Sequence, residues 1–423
     1  MLAWQGGVLT AGFLIVTLTL FAGLRRVGYD VSWLDIAWPG RWERINLARA
    51  DYFYHQAVEA FGERDISTTV SALSLAAQYN PDHFAAGMML AQICQTAQPE
   101  LANRTYAHLL EVHSDRFGSL APIWFRSLLN RGDFTAIEAL AGKALHADPD
   151  RTVTWLHALL FANWHTGHVD TIPLLVAQPD GLDPLARQVL TMEQQLRALS
   201  SLNEQRAFLR HVDGAAPLPS YEILYRSRRL LQLGAATDAL EWLAEYGAPL
   251  NDRDRIAVQL DAYATLDYTR LRRALLGRLL GLAGEPAIID LVSAHLIRFP
   301  NAEIFHEFLG RTRLLDDDTE PAASDYPALI TLYCAAAAHA DGPALAAITD
   351  RIKRSTGSNF HTLDAVQHYF EAGAQGPIGS VVPILNPPNL DVVYALFDRF
   401  TPSSPEKTGE RKANNDRLTT RAR

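Results

Sequence analysis

Apolar residues along this chain recur at three- and four-residue spacing, the period of a helix that buries one stripe. Phe53, Ala57 and Ala60 form such a stripe, and Leu73 and Ala76 form the next. Leu90, Ala91 and Cys94, then Ala107 and Leu110, repeat the arrangement, as do Trp124 and Leu128 followed by Ala141, Ala144 and Leu145. Small residues fall where two helices would cross closely and large ones where gaps would need filling. Alternating Val/Ile/Thr runs hardly occur, while Ala, Leu, Glu and Arg dominate. The predicted class is all-α.

The turns between stripes set the organisation. Asn130 to Pro149 predicts the end of one helix, a tight turn at Gly132-Asp133, a second helix from Phe134, and a stop at Asp148-Pro149. Gly132, Asp133 and Phe134 at the turn, with Lys143-Ala144-Leu145 and Asp148-Pro149 at the end, resemble a tetratricopeptide repeat. That family's period is about 34 residues, and Pro81 to Pro149 spans two periods. The resemblance implies a right-handed α-solenoid of helix pairs, with units at 50–83, 84–117 and 118–151. A fourth unit opens at Trp155, turns at Gly167, and has its second helix shortened by Pro173 and Pro179. Ser119 is expected to cap a helix whose first turn accepts Pro122. Over 181–373 the pattern is degenerate. Gly234 and Ala239-Leu240 resemble a repeat turn again, and helical runs continue to 373 in a drifting register.

The N-terminal stretch lacks a polar face altogether. Residues 1–24 carry no charged side chain, and as a helix Leu2 to Leu24 would span roughly 34 Å, enough for a hydrocarbon core of ~30 Å. No basic residue precedes the apolar run and no small-residue cleavage site follows it, so residues 1–26 are read as an uncleaved anchor. Arg25, Arg26, Arg41, Arg44 and Arg49 lie on the C-terminal flank, which favours a body on the cytoplasmic side over a periplasmic one. Residues 27–49, with Tyr29, Trp33, Trp38 and Trp42, are read as a connector broken at Pro39-Gly40; the aromatics suit a membrane interface or a cap on the first repeat.

At the other end, 374–389 is proline-rich and cannot be helical throughout. Asp391 to Phe400 is expected as an amphipathic helix that caps the array, so 374–400 is an irregular segment plus cap. Residues 401–423 have almost no apolar content and are expected to be disordered.

Composition narrows the function. A net charge of −9 lacks the clustered basic face that nucleic-acid binding needs. The two cysteines, Cys94 and Cys334, form no Cys-x-x-Cys pair, which excludes a thiol-built zinc or redox site, and they are read as buried free thiols. His157, His165 and His168 lie close in sequence, but 165 and 168 straddle the Gly167 turn, so no metal site is expected. Asp316-Asp317-Asp318 lacks the alternating oxygens of a calcium loop and is read as solvated. No cofactor is expected. No nucleophile elbow, phosphate loop or dinucleotide fingerprint occurs, and the chain is not expected to be an enzyme.

In the family, exposed positions of each first helix grip an extended peptide or a partner's helix. Those positions here are Tyr54, Met88, Gln92, Arg126, Asn130 and Asn163. Asn and Gln can pair with a peptide backbone, and Arg126 could clamp a carboxylate. The expected function is a membrane-tethered scaffold or adaptor for a protein partner. Two alternatives stand beside it: a self-associating subunit of an envelope complex, and an enzyme with a site near 374–400, where Asp391, Asp398 and Arg399 are the ionisable residues. An anchor ending in Arg-Arg before such an array also resembles bacterial membrane-tethered tetratricopeptide adaptors. Those that regulate lipopolysaccharide synthesis add a four-cysteine module that this chain cannot supply.

Overall fold

Every regular element among the described residues is helical. The computed structural model describes residues 2–178, 181–212, 217–316, 322–357, 361–373 and 376–401. The expected disordered tail, apart from Thr401, lies outside them, as do Pro179, Asp317 and Asp318. The chain forms two compact units that divide between Phe125 and Arg126.

The first unit opens with α1 (Leu2–Val27), the one described helix long and apolar enough to cross a membrane; little of its Thr10–Val27 stretch is buried. The expected connector is largely helical: α2 (Trp33–Ala37), a single turn at Pro39–Arg41, and then α3 (Trp42–Gly62). α3 therefore begins well before residue 50. Its early residues Ile45 and Ala48 are needed to cover Phe21 and Leu24 of α1, together with Val31 and Ile36. α3 pairs with α4 (Ile66–Tyr79), and α5 (Phe84–Ala97) pairs with α6 (Pro99–Val112). Ala57, Leu73, Ala76, Leu90, Ala91, Cys94, Tyr106 and Leu109 fill the space between them. α7 (Phe117–Arg131) carries the unit boundary. It starts before the expected cap: Ser119 lies in its first turn, where the hydroxyl donates to the Arg116 carbonyl at 2.9 Å, and Pro122 lies inside the helix.

The second unit continues with α8 (Phe134–Ala147), α9 (Thr152–Thr166), the short α10 (Thr171–Ala177), α11 (Pro184–Ala198) and α12 (Leu202–Arg210). Then come α13 (Ser220–Gln232), α14 (Ala236–Tyr246), α15 (Asp252–Thr265), α16 (Thr269–Leu280), α17 (Pro286–Arg298) and α18 (Ala302–Arg311). α19 (Tyr326–Ala338), α20 (Gly342–Thr356), α21 (His361–Glu371), α22 (Val382–Leu385) and α23 (Leu390–Phe400) complete it.

One turn design recurs. After the first helix of a pair, a residue with positive φ lets two N–H groups reach back to the last carbonyls, which a helix end otherwise leaves unpaired. At Gly132 (φ +69) the bonds are Gly132 N to Leu129 O and Asp133 N to Leu128 O, both 3.0 Å. Gly234 and Ala235 repeat it on Leu231 and Leu230, and Arg64 and Asp65 on Phe61 and Ala60. Asp267 and Ala340 occupy the same left-handed position. Asp65, Asp133 and Asp341 then accept a backbone N–H as caps of the second helix, each worth about 1 kcal/mol. First helices end at Gly62, Ala97, Arg131, Thr166, Ala198, Gln232, Thr265 and Arg298, between 32 and 35 residues apart. The drift expected after residue 180 is thus a drift in residue type at the turn, not in spacing, until the insertion before α19.

In the second unit the first helices of successive pairs also pack on one another, α13 on α15, α15 on α17 and α17 on α19. The centre is made by helices buried on every side. α19 is buried from Leu329 to Ala338 and α17 from Leu291 to Ile297, and both pack against α23. A helix that is apolar all round can only be stable when so enclosed. Cys94 and Cys334 are buried free thiols, and burial pushes both above the usual thiol range.

Candidate functional site: a clamp on α7 that holds the chain's own C-terminal segment

The irregular segment expected to end the array instead runs into the second unit. Asn386 adopts the left-handed conformation (φ +44, ψ +59) and caps α22 with its N–H on the Val382 carbonyl at 2.7 Å. Pro387 and Pro388 follow. Proline donates no backbone hydrogen bond, so such a segment offers a partner its carbonyls.

Arg126 of α7 takes both. Its guanidinium donates from Nη2 to Pro387 O at 2.7 Å and from Nη1 to Pro388 O at 3.2 Å. Asn130, one turn further on, donates from Nδ2 to Asn386 Oδ1 at 2.9 Å, and Arg126 Nε reaches the same oxygen at 3.5 Å. Burial shifts the Arg126 guanidinium down from its ordinary value. These two residues, picked out by sequence as peptide-gripping positions, are engaged with a peptide of this same chain. Asn389 anchors the other end: its Oδ1 caps α23 on Asp391 N at 2.8 Å and its Nδ2 donates to Asp290 at 2.9 Å.

The helix that follows is not a surface cap. Val392 to Phe397 are six consecutive buried residues. Tyr394 packs on His157 and Phe161, with ring centroids 4.6 and 4.4 Å apart. Phe397 meets Phe134 at 5.3 Å and closes on Gly132, where an added Cβ would stand 2.7 Å from the Phe397 ring. Gly379 comes as close to α7, since a Cβ there would collide with the Arg131 carbonyl.

Ion pairs ring the same helix. Arg253 meets Asp391 at 3.0 Å, and Arg298 lies between Asp398 at 3.2 Å and Asp261 at 3.8 Å. Asp261 accepts from His295 Nδ1 at 2.7 Å, and His295 Nε2 in turn accepts from Arg272 at 2.9 Å. That pattern fixes His295 as neutral with its proton on Nδ1, and burial holds its pKa below the ordinary value against the pull of Asp261. Burial, reinforced by the charge on Arg228, drives His157 down to about 3. Burial alone would raise Asp391, but Arg228, Arg298 and Arg253 outweigh it and hold the carboxyl low. Burial also pulls Asp261 up, and the His295 hydrogen bond and Arg298 reverse it. For Asp398 burial wins over Arg298 and the carboxyl is raised.

The remaining sequence-selected positions lie elsewhere. Asn163 is 1% exposed and its amide donates to Glu138 Oε1 at 2.5 Å and to the His168 carbonyl at 2.8 Å. It is an internal brace rather than a partner contact, because the loop after Gly167 folds back over it. In the first unit, Tyr54 and Met88 are half-buried against the core while Gln92 is exposed. The three neighbouring histidines go three ways: His157 to Arg228, His168 to Glu138 at 2.6 Å, and His165 onto the Phe134 ring. Among the described residues no three His, Cys, Asp or Glu side chains are grouped to hold a metal ion. Asp391 and Asp398, the acids available to an enzyme near 374–400, are engaged with Arg253 and Arg298.

Sequence reasoning missed Arg253, Asp261, Arg298 and Gly379. The proline run was the available signal, since a segment without backbone donors is suited to being held through its carbonyls. Comparison of the chain with family models, with curated proteins and with solved structures finds no match.

Proposed function

We propose that this protein is a membrane-tethered scaffold, a right-handed solenoid of tetratricopeptide-like helix pairs held at the membrane by α1, with its body on the cytoplasmic side. The observation that carries the reading is the Arg126/Asn130 clamp on Asn386-Pro387-Pro388. It supports an inner face whose first helices read the backbone of an extended segment. In the second unit that capacity is used on the chain itself. The partner site is therefore assigned to the first unit, along Tyr54, Met88 and Gln92, where an extended peptide or helix of another protein would bind.

The test is site-specific photocrosslinking in intact cells. A photoreactive residue at Gln92 should give a discrete adduct with another protein, and one at Leu75, an exposed position of α4, should not. Equal adducts at both positions, or none at Gln92, would remove the first-unit site. Adducts only with further copies of this chain would favour the self-associating subunit.

A further inference from the structure

The chain leaves α1 and immediately turns back along it. Gly28 has φ +105, Tyr29 N donates to Leu24 O at 3.0 Å, and Val31 and Ile36 pack with Phe21 and Leu24. Trp33 Nε1 reaches Thr17 Oγ1 at 3.1 Å. Thr17 lies ten residues before Val27, roughly 15 Å down the helix. The last turns of α1 are therefore flanked by α2 and by the start of α3.

The outer side of this flank carries large apolar side chains among exposed charges, and one of its acids is turned inward. Asp35 is 6% exposed; it accepts from Ser32 N at 2.9 Å and Ser32 Oγ at 2.6 Å, with Arg44 and Arg41 at 3.8 and 4.0 Å. Trp42 turns its N–H inward to the Ile36 carbonyl at 3.2 Å. Large apolar side chains left outside include Leu34, Trp38 and Trp42, 52%, 66% and 57% exposed, with Arg41, Glu43 and Arg44 also exposed next to them in the chain. α1 likewise leaves Phe13, Leu14, Ile15, Val16, Leu18 and Leu20 exposed, and Arg25, Arg26, Arg41 and Arg44 lie near the patch in the chain.

We propose that Leu34, Trp38 and Trp42 form a lipid-facing collar around the end of α1, seated in the interface of a bilayer containing anionic lipid. Indole rings favour that depth, and arginines there gain from anionic headgroups. The membrane-spanning part of α1 then ends near Leu20 instead of at Arg25. Leu2 to Leu20 as a helix is roughly 28 Å long, close to the ~30 Å hydrocarbon core. This inference rests on α1 being a membrane span.

The experiment places a nitroxide label at residue 34, 38 or 42, through Leu34→Cys, Trp38→Cys or Trp42→Cys, in the full chain. Phosphatidylcholine/phosphatidylglycerol vesicles receive the protein, and collision with oxygen is compared with collision with a water-soluble nickel chelate. Ile15→Cys marks the span and Leu75→Cys marks water; the buried native cysteines should take no label. The expected result is deep insertion at 15, intermediate depth at 34, 38 and 42, and nickel access at 75. Deep insertion at 15 with 34, 38 and 42 as open to nickel as 75 overturns the collar and leaves the span intact. Nickel access at 15 overturns both. Spin–spin broadening at 38 that disappears on dilution with unlabelled protein would mean that a second copy, not lipid, covers the patch. In the unlabelled protein, lipids brominated near the glycerol should quench a tryptophan fraction that Trp38→Phe/Trp42→Phe lacks; equal quenching of both proteins also overturns the collar.

Discussion

The two units treat their sequence-selected positions differently. In the first, the positions that a helix-pair array would offer to a partner leave Gln92 exposed and Tyr54 and Met88 half-buried. In the second, Arg126 and Asn130 are spent on Asn386-Pro387-Pro388, and α23 fills the space beside α17 and α19. A face able to grip an extended chain need not be a partner site when the same polypeptide supplies the ligand. A covalently attached segment avoids the entropy lost in bimolecular association, so even modest contacts keep it seated.

The largest effect should come from the helix that does the filling. Phe397→Ala removes a ring that is 2% exposed and is expected to cost about 3–5 kcal/mol in denaturant unfolding. A loss under 1 kcal/mol would mean that α23 is a loosely held cap after all. Next is the clamp. Arg126→Ala should cost about 2 kcal/mol, since it strands two part-buried carbonyls that had a charged donor, and should speed amide exchange at the start of α23. Gln92→Ala in the first unit is expected to stay within about 0.5 kcal/mol. Equal costs for these two would erase the contrast between the faces.

A glycine pair separates backbone strain from packing. Gly132 and Gly167 share nearly the same left-handed φ, +69 and +71, but only Gly132 has the Phe397 ring against it. Gly167→Ala should cost about 1 kcal/mol for conformation alone. Gly132→Ala should cost about 1–3 kcal/mol more, the usual range for overpacking, and that excess should vanish in a Phe397→Ala background.

A last contrast is in pH dependence. His157 is held down to about 3 from 6.5, so below pH 6.5 the unfolded chain takes up a proton that the folded chain refuses. Its contribution is complete above 6.5 and is lost as pH falls toward 3. His295 acts in the same direction, and Asp261 and Asp391, both lowered from 3.8, extend the loss below that value. Asp398 is raised and opposes them in part near its own titration. Replacing His157 by Phe should flatten the slope of stability between pH 6.5 and 4; an unchanged slope would mean that this histidine titrates freely.

Much of the fold is legible in residue types that have one physical use. Gly132 and Gly234 mark turns because left-handed φ is cheap for glycine, and Asp133 marks a helix start because a carboxylate pairs with free N–H groups. The same turns at Arg64, Asp267 and Ala340 were not legible. There, tertiary packing imposes the left-handed conformation on residues that do not advertise it. Ser119 misled for a related reason: hydroxyls cap helices, but also bond back to a carbonyl within the first turn.

By itself the sequence determined the helical class, the apolar N-terminal stretch and the turn at Gly132-Asp133. Each follows from local rules that act within a few residues of the chain. Only the tertiary structure decided what those side chains hold, that Asn163 is enclosed, and that the expected cap helix is a core helix. Those outcomes join residues up to 262 positions apart, and periodicity along the chain carries no information about which distant segment will fill a given face.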